Sequence, residues 1–155
     1  MTVRLMKEVD IDGTALVHQE AFTRQEKSRE WLSCTANAFP RMLCYIIESE
    51  GQTVGYIIWA QKSGFRPEVV LELEQIAIHP SFQGNGFGQD LIERSLQLVK
   101  SHLTNQGSKL KHILVSTRED NDAQKLYRRV LGAEVEATIS NLFSANEVYM
   151  VARNV

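Results

Sequence analysis

The stretch Val69–Leu103, VVLELEQIAIHPSFQGNGFGQDLIERSLQLVKSHL, decides the fold of this chain. It predicts a strand, a glycine-rich turn and a long helix in succession. Up to Ile78 the residues are β-branched or aliphatic, interrupted by Glu72, Glu74 and Gln75, the pattern of a strand buried along most of its length. Pro80 closes the strand, because proline cannot donate to a ladder. Gly84, Gly86 and Gly88 follow at alternate positions, where the missing Cβ lets the backbone turn tightly and approach a ligand. Leu91, Ile92, Ser95, Leu96, Val99 and Leu103 then recur with helical spacing, giving one buried stripe.

The junction carries the chemistry. A helix leaves about four backbone N–H groups unpaired in its first turn and bears roughly half a positive charge there. Preceded by a flexible glycine turn, those donors suit a phosphate or pyrophosphate. A P-loop is excluded, since it needs Gly-Lys-Ser/Thr and Gly88 is followed by Gln89 and Asp90. The dinucleotide fingerprint lacks its third glycine. The pattern present is Q-x-x-G-x-G, formed by Gln83, Gly84, Asn85, Gly86, Phe87 and Gly88, after the segment IAIHPSFQ. Placed between this strand and this helix, it resembles the acyl-CoA pyrophosphate loop of the GNAT superfamily of N-acetyltransferases. A strand-to-helix turn that needs glycine for geometry alone is the plainer reading.

The rest of the chain reads as follows. Thr2–Val9 alternates as a strand, and Asp10 offers an N-cap for a helix to about Phe22. A second helix carries Trp31, Leu32, Cys34, Ala38 and Phe39. MLCYIIESEGQTVGYIIWAQ, with Glu50, Gly51 and Gln52 near its turn, is a hairpin. Beyond the long helix, LKHILVST is a strand. Asn121 with Gln124 forms a capping pair opening a helix whose stripe is Ala123, Leu126, Tyr127, Val130 and Leu131, with Gly132 at its end. Glu134–Ile139 and Glu147–Arg153 close the chain as two strands. The order β-α-α-β-β-β-α-β-α-β-β defines an α/β (mixed α+β) fold: about seven strands in one mixed sheet, flanked by about four helices. The resemblance implies the same order over nearly the whole chain, with the pantetheine arm in a V-shaped gap between the strands before and after the long helix.

A length of 155 residues is expected to form a single domain, 1–155. A net charge of −2 supports neither nucleic-acid nor membrane affinity, and no apolar run is long enough to span a bilayer. Cys34 and Cys44 make no metal-like spacing with the four histidines. Both are expected to be buried thiols of a cytoplasmic protein, with no metal bound.

Glu72 and Glu74 share one face of their strand with Ile76 and Ile78. Two carboxylates do not belong in an apolar core, so they mark either a solvated strand end or a wet cleft. An alkyl ammonium with pKa near 10.4 must lose a proton before it attacks, at a cost of about 4–5 kcal/mol at neutral pH. Carboxylates about 7 Å apart repel by about 2 kcal/mol at an effective dielectric of 20, which raises one pKa and draws in a cation. The resemblance assigns these positions to the general base or to residues that position water for it. It further implies that Tyr127, in NDAQKLYRRVLGAE, protonates the departing thiolate, and that a backbone N–H near Ile76 polarises the thioester. Against the usual family pattern, Asn121 and Gly132 are each displaced by one residue relative to Tyr127, and Ala133 replaces a phenylalanine. On this reading acetyl-CoA contacts Ile76, Ala77, Ile78, Gln83 to Gln89, Asn121 and Tyr127. His79, before Pro80, reads as a loop residue rather than a base.

The expected activity is transfer of an acetyl group from acetyl-CoA to a primary amine of a small molecule, polyamine, peptide or protein, by direct attack. GNAT domains often form homodimers. The resemblance implies acceptor walls at Glu20–Phe39 and Asn141–Asn146. The alternative is an acyl-CoA-binding sensor or structural domain without turnover.

Overall fold

The computed structural model describes residues 1–155. The elements are β1 (Thr2–Leu5), α1 (Ile11–Ala21), α2 (Ser28–Asn37), β2 (Met42–Ser49), β3 (Gln52–Gln61), β4 (Glu68–Ile78), α3 (Phe87–Asn105), β5 (Lys109–Arg118), α4 (Ala123–Leu131), β6 (Glu134–Ile139) and β7 (Glu147–Arg153). Single 3-10 turns lie at Glu8–Asp10 and Pro80–Phe82. The seven strands form one mixed sheet of order β1-β2-β3-β4-β5-β7-β6. β4 and β5 pair in parallel, while β5 with β7 and β6 with β7 are antiparallel. This is the expected α/β architecture in the expected order. No helix is long and apolar enough to cross a membrane.

The chain divides into two compact units. The first comprises Met1–Trp59 and Gln75–Val99. In it β2 and β3 are buried almost without alternation, because both faces of these strands are covered. On one face Cys44, Ile46, Tyr56 and Ile58 pack with Ile11 and Val17 of α1 and Leu32 of α2. On the other, the buried Trp59 donates its indole N–H to Ser95 Oγ at 2.9 Å. That bond explains a serine in the apolar stripe of α3: a buried indole N–H needs an acceptor. Gly55 is fixed by packing alone. A Cβ there would lie 2.5 Å from Ile78 Cδ1 and 2.8 Å from the Ala77 carbonyl oxygen, so any side chain would force β3 away from the end of β4.

Several sequence expectations are corrected in this unit. β1 ends at Leu5 rather than Val9. Asp10 stands at the N-cap of α1 but makes no side-chain cap. Its two carboxylate oxygens instead accept from the Arg4 guanidinium at 2.8 and 2.9 Å, and one accepts the Lys7 N–H at 2.7 Å. Arg4 also pairs with Glu48. The guanidinium holds the Asp10 carboxyl below the usual carboxylate range. α2 ends at Asn37, before Ala38 and Phe39, and buries Leu32 and Thr35, while Trp31 and Phe39 are exposed. Cys34 lies on its exposed side, so only Cys44 is the buried thiol expected, pushed up to about 12 by desolvation.

The second unit comprises Ala60–Glu74 and Lys100–Val155. Its parallel register runs from Glu68–Lys109 to Leu73–Val115. Leu71, Leu73, Ile113, Val115 and Met150 are buried, as are Tyr127 and Leu131 of α4. Gly132, at φ 72°, ends α4 in the left-handed conformation, as its position predicts. The capping pair is realised only in part. Asn121 Oδ1 accepts from Ala123 N at 2.8 Å, whereas Gln124 Nε2 donates to the carbonyls of Arg118 and Glu119.

Candidate active site

The glycine turn is held by local side-chain bonds. His79 Nδ1 accepts from the Ser81 N–H at 3.1 Å and so caps the 3-10 turn, the structural part expected of it. Gln83 Nε2 donates to the Ile78 carbonyl at 3.1 Å, and Asn85 Nδ2 to that of Phe82 at 3.0 Å. Gln83 thus ties the loop to β4 and Asn85 ties it to the preceding 3-10 turn. Gly84 and Gly86 have φ of 82° and 79°, a region that other residues enter only with strain. An added Cβ at either would meet nothing within 4 Å, so backbone conformation and open space coincide there.

The Asp90 N–H donates to the Gly86 carbonyl at 3.1 Å, where the chain enters α3. The N–H groups of Gly84 to Gly88 lie at the positive end of this helix of 19 residues. An exposed turn of amide donors with no side chain over it fits a pyrophosphate. Asp90 sits in the first turn of α3.

Along β4 the buried residues are Val69, Leu71, Leu73 and Ala77, with Gln75 between them half-buried and Glu74 exposed. The alternation thus keeps one phase through Ala77, and burial gives no sign of the bulge expected near Ile76. The register shift seen between β4 and β5 lies earlier, between Val69 and Val70. Ala77 is buried in the core of the first unit, and Ile78 is half-buried.

Glu72 accepts an ion pair from Lys62 Nζ at 3.3 Å, with its side chain 21% exposed. The expected repulsion between Glu72 and Glu74 is therefore offset at Glu72 by a resident cation that the sequence did not reveal. Tyr127 is buried, and desolvation pushes its hydroxyl up to about 12, so it is protonated at neutral pH. Asn121 is engaged at the start of α4 through the bond to Ala123.

A hydrogen-bonded chain beside Glu74 had no sequence signal. Trp31 Nε1 donates to Gln75 Oε1 at 2.9 Å, and the Tyr56 hydroxyl donates to the same oxygen at 2.6 Å. An indole N–H can only donate, which fixes the Gln75 amide with its Nε2 toward Gln25 Oε1, at 3.2 Å. Gln25 Oε1 then accepts from His18 Nε2 at 2.8 Å, leaving Nδ1 to accept from the Ser28 hydroxyl at 2.7 Å. One donor-only side chain thus sets the polarity of the whole chain and ties the α1–α2 connection to β4.

The chain matches the model of the Acetyltransferase (GNAT) family over residues 11–133 and belongs to that family of acyltransferases. No curated protein matches it. Among solved structures it is similar to the ribosomal-protein-S18-alanine N-acetyltransferase from Escherichia coli, with 17% identity, 99% of this chain and 93% of that chain covered, and a TM-score of 0.77. An aminoglycoside 6'-N-acetyltransferase complexed with coenzyme A is 13% identical over 100% of this chain and 98% of its own, also at 0.77. Ard1 from Thermoplasma volcanium is 21% identical over 99% and 97%, at 0.75. At these identities the likeness shows the fold.

Replacing Gln75 by leucine strips partners from Trp31, Gln25 and the fully buried Tyr56. Stability in urea is expected to fall by about 1–3 kcal/mol, with faster amide exchange in the α1–α2 connection. A variant that unfolds at the wild-type midpoint, with unaltered exchange there, would show that the chain holds nothing in place.

Proposed function

We propose that the protein is a single-domain enzyme, residues 1–155, that transfers the acetyl group of acetyl-CoA to a primary amine by direct attack. The observation that carries this reading is the glycine turn, with Gly84 and Gly86 at positive φ, open space above them and the amides of α3 behind. Gly84 to Gln89 hold the pyrophosphate. Gln83 and Asn85 shape the loop, and the backbone of Ile76–Ile78 borders the acyl arm. The known coenzyme A complex of a structural neighbour supports acetyl-CoA as the donor. Neighbours named for ribosomal protein, aminoglycoside and spermidine support an amine acceptor.

Glu72 and Glu74 draw in the cationic amine, and one of them takes its proton. The amine nitrogen then attacks the thioester carbon and the C–S bond breaks. At a pKa of about 12 the Tyr127 hydroxyl is fully loaded with its proton. Handing that proton to a thiolate of ordinary basicity, near 8.5, would be uphill by about 5 kcal/mol. The hydroxyl therefore acts as a relay: it gives its proton to sulfur while receiving one from the attacking nitrogen, and the burial that raises the phenol raises the thiol as well.

Two outcomes test this reading. Acetyl-CoA is expected to raise Tm in the wild type, and Gly86→Val, which forces a branched side chain into a left-handed turn, is expected to abolish that rise. Retention of wild-type affinity in this variant would place the pyrophosphate elsewhere. Tyr127→Phe keeps the ring and deletes the hydroxyl. Its stability should change by no more than about 1 kcal/mol, while the single-turnover rate falls by about a hundredfold or more with acetyl-CoA affinity preserved. Acetylation at the wild-type rate would remove the hydroxyl from the reaction. Binding of acetyl-CoA with no turnover on any amine would favour the sensor reading.

A further inference from the structure

A cavity of about 420 Å³ opens where β1, β2, α1 and α2 meet, and all of its lining belongs to the first unit. That volume falls in the range of small-molecule sites, about 300–1,000 Å³. Its floor is apolar and rich in sulfur. Met6 and Cys44 are buried there, with the Cys44 thiol 3.8 Å from the Met6 sulfur, and Met42 is half-buried beside them. Leu5 and Phe39 carry the apolar lining out to the surface, at 39% and 50% exposed. Such surface gains by leaving water.

The polar side of the cavity is one column of α2. Arg29, Ser33 and Asn37 all line it, and a spacing of four residues stacks them on one face of the helix. Each presents hydrogen-bond donors. Arg29 commits its Nε to Asp12 Oδ1 at 2.9 Å, while its NH1 lies 3.5 Å from Ser33 Oγ. The NH1–NH2 edge is thus left as a fork for a carboxylate, with the Ser33 hydroxyl next to it. Glu8, from the 3-10 turn after β1, lines the cavity too. Neither its carboxylate nor the Asn37 amide bonds to another residue. A phosphate would be repelled by Glu8 and by the Asp12 already on Arg29. An alkyl ammonium alone would leave the arginine fork unused. A molecule bearing a carboxylate, an ammonium and an apolar body engages every part of the lining.

We propose that this cavity binds a free α-amino acid with an apolar side chain. Its carboxylate lies on Arg29 and Ser33, its ammonium on Glu8, and its side chain over Met6 and Met42. The site is separate from the glycine turn and goes beyond the acetyltransferase reading. It is joined to β4 through α2: Trp31, about 200° round that helix from Arg29, donates its indole N–H to Gln75. An occupied cavity therefore braces the helix that holds Gln75.

The test titrates the whole chain, isotopically labelled at the methionine methyl groups, with L-leucine and follows the methyl NMR signals. Met6 and Met42 are expected to shift saturably with a Kd of about 1 mM or tighter, whereas Met150, buried in the second unit, stays in place. Isocaproate lacks the ammonium, leucinamide the carboxylate and glycine the side chain, and each is expected to bind about tenfold more weakly or worse. Arg29→Gln should weaken L-leucine binding by a similar factor; where that variant fails to fold, the analogues on wild type decide. Absence of any shift at Met6 and Met42 with L-leucine overturns the inference. So does any one of the three analogues binding as tightly as L-leucine, or a folded Arg29→Gln that keeps wild-type affinity. Coenzyme A added to the same sample reads the glycine turn independently, so failure with L-leucine leaves the proposed acetyltransferase function intact.

Discussion

The backbone amides that open α3 constrain much of the rest. Those of Gly84 to Gly88 precede the bond from Asp90 to Gly86, and donors at a helix N-terminus require water, a side chain or an anion. Keeping them available takes a turn with no side chain above it, which takes Gly84 and Gly86 at positive φ. It also takes a fixed loop. Gln83 and Asn85 supply that by bonding back to Ile78 and Phe82, and His79 by capping the 3-10 turn. The helix itself is held by Leu91, Ile92 and Val99 in the core and by Ser95 under Trp59. The turn is therefore preorganised by neutral groups, and in the function proposed its attraction for phosphate comes from oriented backbone dipoles.

Carboxylates in the second unit show how surroundings divide the work among like groups. Glu72 has a resident lysine, Asp120 has the Arg118 guanidinium, and Glu147 is buried at the start of β7, where desolvation raises its carboxyl above the usual range. The same chemical group is thereby paired at two positions and desolvated at the third. A tyrosine raised to about 12 by the same desolvation is kept in its protonated form. These assignments follow from partners and burial, not from residue type.

Much of the architecture was legible in the sequence because its signals are local. The helical stripe from Leu91 to Leu103, the period of α4 and the glycine at its end each encode one element. β6 and β7 fall on the expected residues. What the sequence hid depends on distant partners. Asp10 reads as an N-cap, but Arg4 recruits its carboxylate. Cys34 reads as a buried thiol, yet α2 buries only a narrow stripe and leaves it exposed. Gln75 looks like a polar interruption of a strand, and its partners Trp31 and Gln25 are 44 and 50 residues away in the chain. Glu147 reads as a strand boundary, and its burial shows only once β7 lies between β5 and β6.

Titration of isotopically labelled protein with coenzyme A, followed by amide NMR, tests the central claim most directly. The account predicts that the largest downfield amide shifts fall on Gly84 to Gln89 and saturate together with a single Kd. Saturable binding whose largest shifts lie outside this turn, or no shift in these amides at saturating coenzyme A, would contradict it.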